Sequence, residues 1–104
     1  MAKINVNDRD LETVKSILRK YGHDREIWVF GSRLNGSVKK FADLDLAVMG
    51  EEPMPISTLA QMKEAFSESD LPFRVDIVEW ARTSPQFRKI IAGAHEVLMG
   101  NTEK

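Results

Sequence analysis

Six residues of this chain stand where phosphate and metal chemistry would need them: Gly31, Ser32 and Arg33, then Asp43 and Asp45, then Asp76. Gly31-Ser32 follows a β-prone run at 26–30 (EIWVF), and a tight turn after a strand presents backbone N–H groups and a hydroxyl to a phosphate. Asp43 and Asp45 are spaced i and i+2 at the start of the run 44–49 (LDLAVM). Side chains at that spacing project from one face, about 7 Å apart along the chain, and can share a divalent cation. Asp76 sits inside a third apolar run, 73–78 (FRVDIV), and can close the site.

An acidic residue within an apolar strand costs several kcal/mol if it is buried unpaired. A metal ion is the strongest reason for a sequence to carry that cost twice, at Asp45 and Asp76. Magnesium takes carboxylate oxygens and keeps waters or phosphate oxygens in its other positions. Two such ions about 4 Å apart stabilise both attacking and leaving oxygens in phosphoryl transfer, and three carboxylates suffice to hold them. Asp-x-Asp alone is a weak signal and reads more readily as a strand entry with one capping and one solvent-facing residue. Preceded by Gly-Ser and followed by a third strand Asp, the composite is specific although its parts are not.

The other conspicuous residues divide between chemistry and architecture. Arg33 can offer a fork-shaped donor to phosphate oxygens, or pair with an acidic neighbour and hold its loop; both readings stand. Gly36 reads as a turn glycine, and Lys39 and Lys40 as a solvated loop face. Trp28 and Trp80 flank the strands and read as packing residues. His23 and His95 fit no zinc or triad pattern and carry no role.

The elements that must position these residues follow from periodicity and punctuation. Asn7 or Asp8 can cap a helix with Leu11, Val14, Ile17, Leu18 and Tyr21 at helical spacing, stopped by Gly22. Residues 26–30, 44–49 and 73–78 read as strands. The stretch 50–55, with two prolines, is a loop. Ser57 is expected to cap a second helix to about Phe66, and Ser84-Pro85 to open a last one over 86–92. Residues 95–99 are expected as a final strand or a helix extension, and 100–104 as a frayed tail. The order α-β-β-α-β-α gives an α+β fold with a mixed sheet.

At 104 residues the chain is expected to be a single domain, 1–104. Fifteen Lys and Arg against sixteen Asp and Glu leave a net charge of −1, so the chain lacks the basic surplus of a general nucleic-acid binder. No long apolar run suggests a membrane span or signal peptide. Cysteine is absent, which excludes disulfides and thiolate metal sites and fits a cytoplasmic setting.

The segments GSRLNG, ADLDLAVMG and RVDIVEW resemble the signature of the DNA polymerase β-type nucleotidyltransferase superfamily, and among its members the minimal nucleotidyltransferase (MNT) proteins. The resemblance runs from about Leu11 to Met99. It implies that fold, with Gly31 and Ser32 holding a triphosphate, Asp43 and Asp45 binding two Mg²⁺ ions, and Asp76 completing the catalytic metal site and helping to deprotonate the acceptor. It implies ATP as substrate, transfer of AMP to a hydroxyl, and release of pyrophosphate. Larger members append a helical domain that grips the base or the acceptor, and the resemblance here stops short of it. Acceptor choice then falls to a short surface, a second copy in a homo-oligomer, or another protein. Minimal members are commonly paired with a helical HEPN protein as toxin and antitoxin, so a side chain of a HEPN-type partner is the expected acceptor. Two rivals remain: nucleotidylation of a small molecule such as an aminoglycoside, and a non-catalytic antitoxin that neutralises its partner by contact alone.

Overall fold

Asn7 opens helix α1 (Asp8–Tyr21) by accepting the Asp10 backbone N–H on its side-chain oxygen at 2.8 Å, and Gly22 closes it through an N–H bond to the Leu18 carbonyl at 2.7 Å. The structure, a computed structural model, describes residues 4, 6–22, 24–31, 33–34 and 42–100. Strand β1 (Ile27–Phe30) follows, then β2 (Leu44–Val48), helix α2 (Ile56–Ser67), β3 (Val75–Glu79), a single 3₁₀ turn (Trp80–Arg82), helix α3 (Pro85–Gly93) and β4 (His95–Met99).

The four strands form one sheet in the order β3-β2-β1-β4. β1 runs antiparallel to both β2 and β4, whereas β2 and β3 are parallel and joined through α2. The sheet is therefore mixed, as expected. Period-two alternation gives it two unlike faces. Ile27, Val29, Leu44, Leu46, Val48 and Ile77 point to one side and form the main core with Val14 and Leu18 of α1 and Met62 and Phe66 of α2. Phe30 and Ala47 point to the other, where Ile91 and Phe87 of α3 cover them, flanked by Trp28, Val78 and Trp80. Both tryptophans pack, in keeping with their expected role.

Two boundaries differ from expectation for physical reasons, and one open alternative is decided. Ser57 lies inside α2 rather than at its cap; the helix begins at Ile56 behind Pro55, whose carbonyl accepts from Leu59 N–H at 3.0 Å. Its start is set by the preceding loop instead of by a hydroxyl. There Arg25 donates to the carbonyls of Met49 (3.2 Å) and Glu52 (2.7 Å), and the buried Glu79 carboxylate accepts the Met54 N–H at 2.6 Å. Gly50, at φ +129°, lets Arg25 in: a Cβ there would stand 2.8 Å from the guanidinium. Residues 95–99 form a strand and not a helical extension, because Ala94 is already extended (φ −153°, ψ 102°). The third strand starts at Val75, leaving Phe73 turned into the core.

Candidate active site

Strand register decides where the acidic residues meet. Asp45 is the direct partner of Phe30 on β1 and of Asp76 on β3, and Phe30 is also the partner of His95 on β4. Asp76, Asp45, Phe30 and His95 thus form one row across the sheet, on the face that α3 only partly covers. Neighbouring strands are about 4.8 Å apart, so Asp45 and Asp76 stand shoulder to shoulder. Asp43 lies just before β2 and, at i−2 from Asp45, on the same side.

Gly31 is the next link. Its φ of +86° is the left-handed conformation that glycine tolerates, and a Cβ built on it would collide with Oδ2 of Asp45 and approach its Cγ to 3.1 Å. The turn backbone is therefore laid directly against the carboxylate, and only hydrogen at this position permits it. Ser32, expected beside it as a phosphate ligand, lies outside the described residues, as do Gly36, Lys39, Lys40 and His23.

The electrostatics follow from this crowding. Burial raises the Asp45 carboxyl from 3.8 to about 6, and the negative charges of Asp76 and Asp43 push the same way. Asp43 makes an ion pair with Arg74 at 3.2 Å, with the arginine largely exposed. Among the described residues no three acidic or histidine side chains are grouped so as to enclose a cation as they stand. The donor set nonetheless suits a hard divalent ion: oxygen-only ligands, mutual repulsion, and one carboxylate whose charged form is disfavoured until positive charge arrives.

Arg33, for which both phosphate binding and loop anchoring were open, is buried at 5% exposure. Its Nε donates to the Ala42 carbonyl at 2.9 Å, and its guanidinium lies 4.2 Å from the centre of the Phe73 ring. Burial lowers its pKa, with Asp10 and then Asp43 opposing that shift. These contacts tie the turn after β1 to the chain that enters β2, which is an anchor's geometry.

Two functional neighbours escaped the sequence reading. Arg74 sits two residues before Asp76, on the same strand face, and the Leu44–Val75 pairing brings it opposite Asp43. A parallel register of the second and third strands would have revealed it. Glu79 is buried at the far end of β3, where it holds both Met54 and Arg82 (3.0 Å) and so fixes the loop that leads from β2 into α2. Beyond β3 a groove of about 440 Å³ runs along Lys63, Phe66, Phe73 and Arg74 to Asp76, a size that accepts a side chain or small ligand.

Known proteins resemble the chain at three levels. The profile of the family "Polymerase beta, Nucleotidyltransferase" matches residues 12–104. The "Probable protein adenylyltransferase MntA" of Haemophilus influenzae is 46% identical over 97 residues, covering 93% of this chain and 85% of that protein. Among solved structures, a complex of the tri-AMPylated Shewanella oneidensis HEPN toxin with MNT antitoxin superposes at a TM-score of 0.65 and 19% identity, covering 88% of this chain and 71% of that one. A toxin-antitoxin structure with AMP-PNP reaches 0.72 at 21% identity, covering 88% and 73%. At such identities these two likenesses are of fold.

Proposed function

The chain belongs to the polymerase β-type nucleotidyltransferase family, and from that premise we propose that it transfers the AMP of ATP to a hydroxyl of a HEPN-type partner protein, as an antitoxin of the cytoplasm. Nucleotidyl transfer is the family's chemistry; the adenylyl group, the protein acceptor and the pairing are inferred. The observation that carries the reading is the row in which Asp45 and Asp76 are direct partners while Gly31 lies against Asp45.

The division of labour follows from the row. The turn that begins at Gly31, on the β1 side of Asp45, would offer backbone donors to the triphosphate, with the Ser32 hydroxyl as the ligand expected from the sequence. Asp43, Asp45 and Asp76 would hold Mg²⁺, which when bound supplies charge stabilisation at the attacking and leaving oxygens. Asp76, exposed and nearest the groove beyond β3, is placed to accept the proton of an acceptor hydroxyl that enters from that side. Acceptor and leaving group then lie on opposite sides of the α-phosphorus, the geometry of in-line displacement. Arg74 holds Asp43 until positive charge competes for it.

The similarity to a protein adenylyltransferase and to MNT–HEPN complexes supports the choice of nucleotide and acceptor. The test is mass spectrometry of a HEPN-type protein after incubation with this chain, ATP and Mg²⁺. An increase of one or more AMP units, absent with Asp43→Asn, is the expected result. Neutralisation of the partner without any mass change would replace catalysis by contact inhibition.

A further inference from the structure

We propose that the open edge of β3 takes up an extended segment of the acceptor protein as a fifth strand, which sets the hydroxyl-bearing residue directly across from Asp76. The proposal rests on the transfer reading above and adds to it the kind of segment that the site accepts.

The ladder leaves that edge unpaired. β3 is an outermost strand, bonded to β2 alone. The Leu44 N–H donates to the Arg74 carbonyl at 2.9 Å, and in the parallel register that follows, Arg74, Asp76 and Val78 turn their backbone groups towards β2. Val75 and Ile77 therefore turn their N–H and C=O groups outward, and no other described residue bonds to them. A row of donors and acceptors at a two-residue interval is complementary to the edge of another strand.

The same edge borders a continuous groove. The stretch of about 440 Å³ that reaches Asp76 shares Lys63 and Ile77 with a second one of about 570 Å³, which runs on between β3 and the start of α2. Ile56, Leu59 and Val78 line that second stretch, and Ile56 is 77% exposed. In an added strand, the residue opposite Asp76 projects its side chain on the Asp76 face, about 5 Å away. Its two neighbours project on the other face, that of Ile77 and α2, where Ile56, Leu59 and Lys63 stand. Charge narrows the choice. Arg74 and Arg82 are paired with Asp43 and Glu79, whereas among the described residues none makes an ion pair with Lys63. The segment that fits is extended, with a hydroxyl residue flanked by one apolar and one acidic side chain.

The test uses the full chain with a HEPN-type protein, ATP and Mg²⁺. Residue-resolved amide exchange should find Val75 and Ile77 exchanging faster than Asp76 and Val78 in the free chain, and slowed about tenfold or more once the partner is added. Lys63→Glu and Ile56→Asp change exposed positions on α2; each should raise KM for the partner about tenfold and leave kcat and calorimetric binding of ATP with Mg²⁺ unchanged. A raised KM without new protection at Val75 and Ile77 means that a helix or a folded surface fills the groove, and overturns strand addition. Protection of these amides in the chain alone at rising concentration, with a dimer in sedimentation, assigns the edge to a second copy and overturns it too. Transfer that continues with unchanged KM in both variants overturns this inference and leaves the proposed function standing. Absence of transfer by the unaltered chain overturns the proposed function, and this inference with it.

Discussion

Replacing Asp45 by Asn should stabilise the metal-free protein while abolishing transfer. The Asp45 carboxyl is raised from 3.8 to about 6, first by burial and then by Asp76 and Asp43. Between those two values the folded state holds a proton that the unfolded state has released. Stability therefore falls as pH rises through that window and stays low above it. Two pH units correspond to about 3 kcal/mol. Asp45 is only half-buried, and solvent screening brings this to about 1–2 kcal/mol. Asn cannot ionise, so the variant should escape the loss. Urea unfolding at pH 4 and pH 8 measures it: relative to the unaltered protein, Asp45→Asn should gain about 1–2 kcal/mol between the two, a rise in Tm of about 4–16 °C at pH 8 for a domain of this size. Added Mg²⁺ should stabilise the unaltered protein at pH 8 and leave the variant unmoved. A variant less stable at pH 8, or a difference that ignores pH, would refute the argument that burial and the neighbouring carboxylates disfavour the Asp45 charge.

Three further changes probe the frame around the site. Gly31→Ala places a Cβ against the Asp45 carboxylate at a positive φ; a loss of at least 1–2 kcal/mol in thermal unfolding, together with loss of transfer, is expected. Arg33→Ala strips the contacts to Ala42 and Phe73 and should cost about 2–3 kcal/mol in urea unfolding; full stability with a raised KM for ATP would instead make Arg33 a phosphate ligand. Glu79→Ala orphans the buried Met54 N–H and should cost about 1–3 kcal/mol, with altered hydrogen exchange in the 50–55 loop as its signature.

How far the molecule could be read in advance depended on the range of each interaction. The caps of α1 and α3 are written locally, in Asn7 and in Ser84-Pro85, and both function as such, Ser84 accepting the Phe87 N–H at 3.1 Å. The strands with an internal Asp were visible because charge within an apolar run needs a cause. The start of α2 was misread because Arg25 and Glu79, distant in sequence, place it and not the nearest hydroxyl. Likewise, nothing local told that Arg74 would face Asp43 or that His95 would join the acidic row. Both facts come from strand pairing, which side-chain patterns constrain to a face but not to a neighbour. Arg33 shows the same limit: its type suits either role, and its burial against Ala42 and Phe73, which favours the anchor, is not written locally.

The parallel pairing of β2 and β3 also sets when the protein can act. Asp43 and Arg74 are 31 residues apart, and no hairpin can bring such strands together; the crossover through α2 must be complete before the two acidic strands align. Contacts of this span are the late and slow events of folding, whereas the β1–β2 pairing needs a shorter excursion. A chain still emerging from the ribosome thus holds Asp45 without Asp76. β3 is moreover an edge strand, joined to the sheet along one side, so its detachment is among the smaller openings available to the folded molecule. Each such opening dismantles the row at once. Activity is thereby tied to the integrity of one ladder, and a ligand or acceptor seated across Asp45 and Asp76 would lock that ladder shut and prolong the lifetime of the protein against proteolysis.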